Sequence, residues 1–506
     1  MRLTHYRPHD LPLPEHLLKK LAMIVTDNAL FRSRAYIDGE WVAAHGGASY
    51  AVTDPANGAT LGHVPDMGEP DTLRAIAAAE AALPAWRSKT AAARTAILTR
   101  LRNLILEHRE ELAQLMTLEQ GKPLSEARGE VDYGASFLQW FAEEGKRVYG
   151  DVIPSPSPDR RIVTIKQAVG VVALITPWNF PLAMLTRKAG AALAAGCTVV
   201  AKPAEDTPLT ALALAALAER AELPKGVLNI ITTQNPAAVG RTLTASATVR
   251  KLSFTGSTEV GKQLMADCAA TVKRLSLELG GNAPFIVFDD ADLDAAVQGA
   301  LAAKYRNSGQ TCVCVNRFLI QSRVYDAFAE RFVAAVQSLT VGPGLDDRQQ
   351  GPLINEAALS KVESLVADAH AKGARALCGG KRHVLGRTFY EPTVLTNVTT
   401  EMACVREEIF GPVAPLLRFE TEEEAIRIAN ATPSGLAAYF YARDIGRVWR
   451  VSEALEYGMV GINQGLISTE VAPFGGVKES GFGREGSKYG IDEYLEIKYL
   501  CMGGLV

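Results

Sequence analysis

The stretch that decides the fold is Val169–Glu205, VGVVALITPWNFPLAMLTRKAGAALAAGCTVVAKPAE. It opens with a short apolar, β-branched run, continues as an alanine- and leucine-rich helix that ends at Gly196, and closes with a second apolar run. Short, continuous apolar runs are typical of parallel strands that are buried on both faces. A strand, a helix and a second strand at this spacing predict a βαβ unit in a doubly wound parallel sheet.

The same alternation continues on both sides of that stretch. Further strands are predicted at VLNIIT (227–232), KLSFTG (251–256), RLSLELGG (274–281), PFIVFDD (284–290) and MVGIN (459–463). Helices are predicted at Thr72–Leu83, Ala91–Leu118, 125–147, 208–221, 291–305, 324–338, 356–373, 421–430 and 445–457. The chain is therefore predicted to have an α/β fold, with a second αβ series that starts near residue 284.

Three segments depart from this pattern. DVIPSPSPD (Asp151–Asp159) is rich in proline, which excludes the interior of a helix or sheet and predicts a surface connection. RIVTIKQAVG (161–170) and EYLEIKYLC (493–501) alternate in polarity and predict exposed strands. Glu15–Ile24 predicts a short helix in an N-terminal extension.

Length, charge and cysteine content limit the class of protein. A chain of 506 residues is too long for one core, so two or three domains are expected. The net charge is −3 and there are no runs of one sign, so the charge pattern does not predict binding to nucleic acid or to an anionic membrane. Seven cysteines without a paired framework or zinc spacing favour a reducing compartment and no bound metal. No apolar run suits a signal peptide or a membrane span, so the cytoplasm is the expected location.

Three short motifs carry candidate catalytic side chains. Gly309-Gln310-Thr311-Cys312 places a cysteine in a turn, where a thiolate could act as a nucleophile; the alternative is a small buried hydrophobe. Glu278 ends a predicted strand and could act as a general base if desolvated, or could be a solvated loop glutamate. Asn179, in the proline-bounded turn PWNFP, could stabilise an oxyanion or be an ordinary turn residue.

Two further segments suit a dinucleotide. Lys202-Pro203-Ala204-Glu205 follows a strand, where a carboxylate would bond ribose hydroxyls and repel a 2′-phosphate. FTGSTEVGK (254–262) is predicted as a strand, a glycine-bounded loop and a helix, whose first backbone N–H groups suit a pyrophosphate. It matches neither the G-x-G-x-x-G fingerprint nor a P-loop.

Taken together, these segments resemble the motif set of a known family. PWNFP, KPAE, FTGSTEVGK, ELGG, GQTC, EEIFGPV and PFGGVKESGFGRE occur in this order and resemble the NAD(P)-dependent aldehyde dehydrogenase superfamily from about residue 35 to the C-terminus. Within it, the resemblance is closest to succinate-semialdehyde dehydrogenases. It is carried by the stretches at 178–200, 305–317 and 483–501.

The resemblance implies a fold of three parts. These are a Rossmann-like cofactor domain (31–150 and 169–280), a catalytic αβ domain (281–475) and a small β oligomerisation arm (151–168 and 476–506). Residues 1–30 form an extension to which the resemblance gives no role. The expected assembly is a homodimer or homotetramer, because the exposed strand edges of the arm need cover.

The resemblance also assigns chemical roles. Cys312 would attack the aldehyde, Asn179 and the Cys312 backbone N–H would hold the oxyanion, and Glu278 would activate water to hydrolyse a thioester. The cofactor is expected to be NAD, favoured by Glu205, with NADP possible. The residues expected to bind it are Trp178, Lys202, Pro203, Ala204, Glu205, Gly256, Ser257, Gly261, Leu279, Glu408 and Phe410.

The substrate follows from three more positions. Arg187, Arg306 and Ser468 match residues that bind the substrate carboxylate in succinate-semialdehyde dehydrogenases, although two arginines on helices could also be plain surface residues. Glutaric semialdehyde, one methylene longer, is an alternative substrate, and a catalytically idle relative is an alternative of another class. Cys314 either forms an inhibitory disulfide with Cys312 under oxidation or is a packed hydrophobe.

Overall fold

The computed structural model describes residues 30–505. The helix predicted at Glu15–Ile24, and the N-terminal extension apart from Leu30, lie outside the described residues. Within them, no helix is long and apolar enough to cross a membrane.

The described chain alternates between helices and strands for most of its length. The helices are α1 (Glu69–Arg87), α2 (Ala91–Glu107), α3 (Arg109–Gln120), α4 (Leu124–Glu144), α5 (Ala183–Ala195), α6 (Pro208–Arg220), α7 (Pro236–Ala245), α8 (Thr258–Ala269), α9 (Leu293–Tyr305), α10 (Tyr325–Gln337), α11 (Glu356–Ala371), α12 (Ala403–Arg406), α13 (Glu422–Asn430), α14 (Ile445–Ala454) and α15 (Ser487–Asp492). The strands are β1 (Ala35–Ile37), β2 (Glu40–Val42), β3 (Ser49–Thr53), β4 (Thr60–Pro65), β5 (Val152–Ile153), β6 (Arg161–Ala168), β7 (Val171–Ile175), β8 (Thr198–Lys202), β9 (Leu228–Ile230), β10 (Val249–Thr255), β11 (Arg274–Glu278), β12 (Ala283–Val287), β13 (Val315–Gln321), β14 (Arg375–Cys378), β15 (Thr393–Thr396), β16 (Val413–Phe419), β17 (Ser434–Gly435), β18 (Ala437–Tyr441), β19 (Met459–Ile462), β20 (Val477–Lys478), β21 (Gly481–Phe482) and β22 (Leu495–Met502).

The first large sheet has eight strands in the order β2-β1-β9-β8-β7-β10-β11-β21. Its central strands β9, β8, β7, β10 and β11 are mutually parallel, as the βαβ pattern of the quoted stretch predicts. Successive residues of β7 enter different apolar clusters: Val172 and Leu174 pack on one face, and Val171 and Ala173 on the other. Burial on both faces explains why this strand has a continuous apolar sequence.

The second large sheet has seven strands in the order β14-β15-β16-β13-β12-β18-β19. All neighbours are parallel except β14, which pairs antiparallel with β15 at the edge. Phe285 and Val287 of β12 enter one apolar cluster, and Ile286 enters another. The α/β fold class with two helix-covered sheets is thus confirmed.

A small third sheet joins distant parts of the chain. Strand β22 pairs antiparallel with β6 over eight residues, from Leu495 opposite Ala168 to Met502 opposite Arg161. The proline-rich segment supplies β5, a two-residue strand that pairs with β6 at Ile162 and Val163. The segment expected to be only a connection therefore adds a short edge strand before its prolines.

Residues 476–494 lie in a different environment from the strand that follows them. Strand β20 pairs with β17, and β21 pairs with β11 of the first sheet. A side chain at Gly481 would collide with the Leu277 carbonyl, so glycine permits this close approach. The strand assigned to the oligomerisation arm thus pairs with β6, whereas the residues just before it cover the first sheet.

Two local predictions differ from the structure. The single helix predicted at Ala91–Leu118 is interrupted at His108, which ends α2 and begins α3 with φ −99° and ψ 29°. The heptad-like spacing of apolar residues continues across this kink, so hydrophobic periodicity does not reveal it. The hairpins β1–β2 and β3–β4 were also missed, because their strands are only three to six residues long.

Candidate active site

A cavity of about 390 Å³ lies between the two large sheets. It is formed by turns that follow three parallel strands of the first sheet and by loops of the second αβ series. Its walls include Tyr133, Trp178, Asn179, Phe180, Met184, Arg187, Gly256, Ser257, Leu279, Gly280, Arg306, Thr311, Cys312, Glu408, Phe410, Ser468 and Phe474. Ligands of open α/β sheets bind in this kind of position, beyond the carboxyl ends of the strands.

The turn that carries Cys312 depends on close backbone approaches. Asn307 and Ser308 have left-handed φ angles of 51° and 53°, and a side chain at Gly309 would collide with the Gly411 carbonyl. A side chain at Gly281 would collide with the Cys312 carbonyl. The Cys312 thiol lies half-buried in the cavity wall, and its burial raises its pKa to about 12 although Arg187 opposes that shift. The thiol is therefore protonated at neutral pH in this state.

Asn179 is fixed beside this turn by both of its amide groups. Its side-chain Nδ2 donates to the Gln310 carbonyl at 3.0 Å, which leaves the second N–H of that amide for another acceptor. Its backbone carbonyl accepts hydrogen bonds from Lys122 Nζ at 2.7 Å and from Asn307 Nδ2 at 3.1 Å. Lys122 is itself buried in an ion pair with Glu130. The structure thus brings Asn179 and the Cys312 turn together.

Glu278 ends β11 and is buried next to a cluster of charges. Neither carboxylate oxygen has a hydrogen-bond partner among residues 30–505. Burial raises the pKa of Glu278 well above its ordinary value, and the neighbouring Glu485 adds to the effect. Glu278 does not itself line the cavity, although Leu279 and Gly280 after it do. Its surroundings therefore favour the protonated form of this carboxyl.

Glu485 pairs with the two basic residues of α5 that face it. Its carboxylate forms buried ion pairs with Arg187 and Lys188. Burial alone would raise the pKa of Glu485, but Arg187 and Lys188 outweigh it and lower that pKa below its ordinary value. Of the two neighbouring carboxyls, Glu485 therefore carries the negative charge and Glu278 the proton.

The residues expected around a nicotinamide lie on one side of the cavity. The rings of Trp178 and Phe410 meet edge to face, with centroids 5.5 Å apart. Glu408 accepts the Gly281 N–H at 3.0 Å, and burial raises its pKa to about 7. A side chain at Gly256 would collide with the Phe254 ring, so glycine is needed where this turn enters α8.

The residues expected around the adenosine lie farther from Cys312. Lys202, Pro203 and Ala204 are buried, and Lys202 Nζ lies 3.1 Å from a carboxylate oxygen of Glu205. Glu205 lines a second cavity of about 500 Å³, which shares Ile354 and Asn355 with the first. Gly261 lies outside both cavities, where a side chain would collide with Leu279.

The three residues expected to bind a substrate carboxylate all line the first cavity. Arg187 lies over the Phe474 ring at 4.2 Å and is already paired with Glu485. Arg306 lies over the Phe180 ring at 5.1 Å and forms no ion pair within the described part of the chain. Ser468 is half-buried in the loop after β19. The two guanidinium groups are therefore unequal, because Arg187 has a carboxylate ion-pair partner and Arg306 has none in the described part of the chain.

Cys314 lies apart from the cavity that Cys312 lines. Its Sγ lies within hydrogen-bonding distance of the Lys304 carbonyl, at 3.3 Å, and burial raises its pKa. Both cysteines are free thiols. Across residues 30–505, no group of three or more metal-binding side chains is gathered at one place.

Several residues of this site could not be recognised from motifs. Tyr133 and Lys122 lie on or just before α4, and Phe180 and Met184 flank the start of α5. Glu485 lies within the GFGRE segment, but nothing in the segment reveals Arg187 as its partner. The only available signal was the amphipathic spacing of α4, which shows a buried face but not what that face contacts.

A half-buried cysteine and an asparagine amide meet at one end of a cleft between two α/β sheets, which is a typical place for an enzyme active site. Residues 41–500 match the model of the aldehyde dehydrogenase family. The chain belongs to this family and is an oxidoreductase that acts on aldehydes.

The chain is similar to several characterised relatives. It is 61% identical to the succinate-semialdehyde dehydrogenase [NADP(+)] of Escherichia coli, over 95% of this chain and 100% of the relative. It is 60% identical to the glutarate-semialdehyde dehydrogenase of Pseudomonas aeruginosa, over 96% and 100%. It is 58% identical to the 3-sulfolactaldehyde dehydrogenase of Pseudomonas putida, over 95% and 99%. A crystal structure of succinate-semialdehyde dehydrogenase from Burkholderia pseudomallei matches with a TM-score of 0.93 and 63% identity, over 94% of this chain and 98% of that one.

Proposed function

We propose that this enzyme oxidises succinic semialdehyde to succinate, with a nicotinamide dinucleotide as the hydride acceptor. The observation that carries the proposal is Arg306, whose guanidinium lines the same cavity as Cys312 without a carboxylate partner. An arginine without an ion-pair partner in a mostly apolar cavity wall suits an anionic ligand, because its fork matches a carboxylate. A substrate with an aldehyde at one end and a carboxylate at the other fits that arrangement.

The residues of the cleft fit a dinucleotide. Helix α8 begins beside the cavity, and the first N–H groups of a helix lack partners within it and favour an anion such as a pyrophosphate. Gly256 leaves the space before this helix clear of a side chain. When bound, the nicotinamide accepts a hydride from the substrate carbon. We assign its surroundings to Trp178, Leu279, Glu408 and Phe410.

We propose that Cys312 performs the chemistry on the aldehyde. The Cys312 thiol first loses its proton to solvent water. The thiolate then adds to the carbonyl carbon, and the oxyanion that forms accepts the free Nδ2 hydrogen of Asn179 and the Cys312 backbone N–H. Loss of hydride leaves a thioester on the sulfur. Water then attacks the acyl carbon while Glu278 takes a proton, and succinate leaves as the thiol is restored.

The role assigned to Glu278 requires its carboxyl to lose a proton first. Glu278 is among the groups that raise the pKa of the Cys312 thiol, so the two side chains lie close enough to interact. A carboxyl whose pKa is raised by burial is a stronger base once ionised than an exposed one.

The choice between NAD and NADP depends on Glu205. We propose that Lys202 and Glu205 bind the adenosine ribose, with Pro203, Ala204, Ser257 and Gly261 shaping the path, and that Glu205 disfavours a 2′-phosphate. NADP use remains the alternative, in line with the name of the Escherichia coli relative. The ratio of kcat/KM for the two dinucleotides decides between them.

Glutaric semialdehyde is the second candidate substrate. The Pseudomonas aeruginosa relative acts on it by name, at almost the same identity as the first relative. One methylene changes binding by about 1–3 kcal/mol, so activity on both compounds is expected. A catalytically idle relative is disfavoured, because Cys312, Asn179 and Glu278 are all present, Asn179 lines the cavity beside Cys312, and Glu278 lies close enough to interact with the thiol.

We also propose the division of the chain into a cofactor domain, a catalytic domain and an oligomerisation arm with the boundaries given above. The arm strand β22 exposes Ile497, Tyr499 and Met502. An exposed apolar edge strand favours pairing with another chain, so a second copy is expected to cover it in a homodimer or homotetramer. Light scattering of the purified enzyme distinguishes the two assemblies.

The Cys312–Cys314 disulfide remains a prediction. In the reduced state the Cys314 sulfur faces the Lys304 carbonyl rather than the cavity, so the bond requires this turn to move. Oxidation by hydrogen peroxide followed by peptide mass spectrometry tests it. If the switch exists, dithiothreitol should restore the activity of the oxidised wild-type enzyme, and Cys314→Ser should recover less because its Cys312 oxidises further.

The proposed substrate is tested by the rate of dinucleotide reduction with succinic semialdehyde, glutaric semialdehyde and propanal in parallel. We expect the succinic compound to have the highest kcat/KM, and Cys312→Ala to abolish turnover of all three. Equal or better turnover of propanal would show that the cavity does not recognise the carboxylate of the substrate.

A further inference from the structure

One face of α4 forms a wall of the active site. Glu126, Glu130, Tyr133 and Phe137 lie on this face at helical spacing. Glu126 accepts the Asn307 N–H at 2.7 Å, and Glu130 forms the buried ion pair with Lys122. The two carboxylates thus have donors, whereas the hydroxyl proton of Tyr133 has no acceptor in the described part of the chain.

The Tyr133 hydroxyl is buried. Its oxygen lies close to the Arg187 guanidinium, which can only donate, and its proton has no acceptor among residues 30–505. It lines the same cavity as Arg187, Arg306 and Ser468. Buried polar groups in proteins are nearly always hydrogen-bonded, so an unpartnered hydroxyl at a ligand cavity calls for an explanation. An atom of the bound ligand is the simplest missing partner.

The tyrosine is held in place rather than free to turn. Its ring meets the Phe137 ring edge to face at 4.8 Å, and its backbone carbonyl accepts a hydrogen bond from Ser136. Burial raises the pKa of Tyr133, so the hydroxyl keeps its proton and acts as a donor. Arg187 and Arg306 oppose that shift, which shows that both guanidinium groups lie near the hydroxyl.

The surrounding charges indicate which atoms this donor meets. Arg187 is already ion-paired with Glu485, so a substrate carboxylate gains most from donors that have no anionic partner of their own. Within the cavity, Arg306 and the Tyr133 hydroxyl meet that condition. A carboxylate has two oxygens with several acceptor positions, and it can bind both donors at once.

We propose that the Tyr133 hydroxyl donates a hydrogen bond to the distal carboxylate of the substrate and is a specificity-determining residue of this enzyme. The inference rests on the proposed function, because it needs a substrate with a carboxylate at that end. The Tyr133 hydroxyl would then be a neutral hydrogen-bond donor on α4 that acts together with Arg187 and Arg306.

The test compares Tyr133→Phe with the wild-type enzyme on two aldehydes of four carbons, succinic semialdehyde and butanal. We expect kcat/KM for succinic semialdehyde to fall about 10- to 100-fold, as for the loss of a hydrogen bond to a charged group. The loss should appear mainly in KM, and butanal should change by less than about threefold. Since both substrates are measured on one preparation, the ratio is independent of the folded fraction.

Tyr50→Phe is the matched control. Its hydroxyl is also buried without a hydrogen-bond partner in the described region, but it lies outside the cavity. The control should leave the ratio of the two kcat/KM values unchanged. As a second measurement, the inhibition constant of succinate against butanal oxidation should rise in Tyr133→Phe and not in the control.

The outcomes separate the two proposals. If the wild-type enzyme prefers succinic semialdehyde and Tyr133→Phe keeps the same preference, the assignment of Tyr133 is overturned while the proposed function stands. If the wild-type enzyme does not prefer it over butanal, both proposals fail. A loss of preference confined to Tyr133→Phe supports both.

Discussion

Replacing Arg306 and Arg187 in turn tests the inequality between the two cavity arginines. Arg306 has no ion pair in the described structure, so Arg306→Leu removes no partner of a buried anion and should leave the melting temperature almost unchanged. Arg187→Leu leaves Glu485 buried with Lys188 alone. Breaking a buried ion pair in this way costs about 3–5 kcal/mol of stability, so the melting temperature should fall by several degrees.

The same two variants differ in catalysis. Arg306→Leu removes the uncompensated charge beside the proposed substrate carboxylate, which costs about 2–4 kcal/mol in transition-state binding. That corresponds to a loss of about 30- to 1,000-fold in kcat/KM for succinic semialdehyde, with little change for butanal. Arg306→Lys keeps the charge without the bidentate fork and should lie between the two.

Steady-state kinetics and differential scanning fluorimetry on the same preparations provide both readouts. The reasoning would be refuted if Arg306→Leu lowered the melting temperature as much as Arg187→Leu. It would also be refuted if Arg306→Leu reduced butanal and succinic semialdehyde turnover by the same factor.

Three other changes test separate parts of the site. Burial raises the pKa of Cys312 to about 12. The rate at which iodoacetamide alkylates this thiol in the cofactor-free enzyme should therefore rise about tenfold per pH unit between pH 7 and 10. A rate that levels off with a midpoint near pH 8 would contradict this. Lys122→Met leaves the buried Glu130 carboxylate unpaired and removes the donor to the Asn179 carbonyl. The melting temperature should therefore drop by roughly 5 °C or more. An unchanged value would show that these contacts of Lys122 do not stabilise the fold. Gly256→Ala places a methyl group against the Phe254 ring. KM for the dinucleotide should therefore rise at least about tenfold, while KM for the aldehyde stays similar. Calorimetric titration with NAD measures the loss of dinucleotide binding directly.

Much of the fold could be predicted from the sequence because both large sheets are buried on two faces. The continuous apolar runs of β7, β8, β10 and β12 therefore differ clearly from the helices between them. The kink at His108 was not predictable, since it changes the backbone direction without changing the apolar spacing.

The candidate site shows a similar division. Cys312 and Asn179 lie in short motifs with glycine or proline, where the backbone geometry itself constrains the sequence. Asn179 follows β7 and so lies at the carboxyl end of a parallel strand, where ligands bind. Cys312 precedes β13 and reaches the same cleft through the packing of the two sheets. The contacts of Tyr133 and the pairing of Arg187 with Glu485 depend on how α4 and the C-terminal segment pack against α5, and no local pattern encodes that packing.

The orientation of the Glu278 side chain also could not be predicted from the sequence. The ELGG motif places its carboxyl at the end of β11, but its neighbours there are determined by distant residues. The charge balance among Glu278, Glu485, Arg187 and Lys188 decides which carboxyl holds the proton. Such a balance can be read only from the folded arrangement.

The most direct test of the central claim is to trap the acylated enzyme. Glu278→Gln should slow hydrolysis of the thioester, so incubation with NAD and succinic semialdehyde followed by rapid acid quenching and peptide mass spectrometry should reveal a succinyl group on Cys312. The adduct should be absent without NAD and absent when Cys312→Ala is added to the same variant. A succinyl group on another residue, or none on Cys312 while dinucleotide is still reduced, would contradict the account.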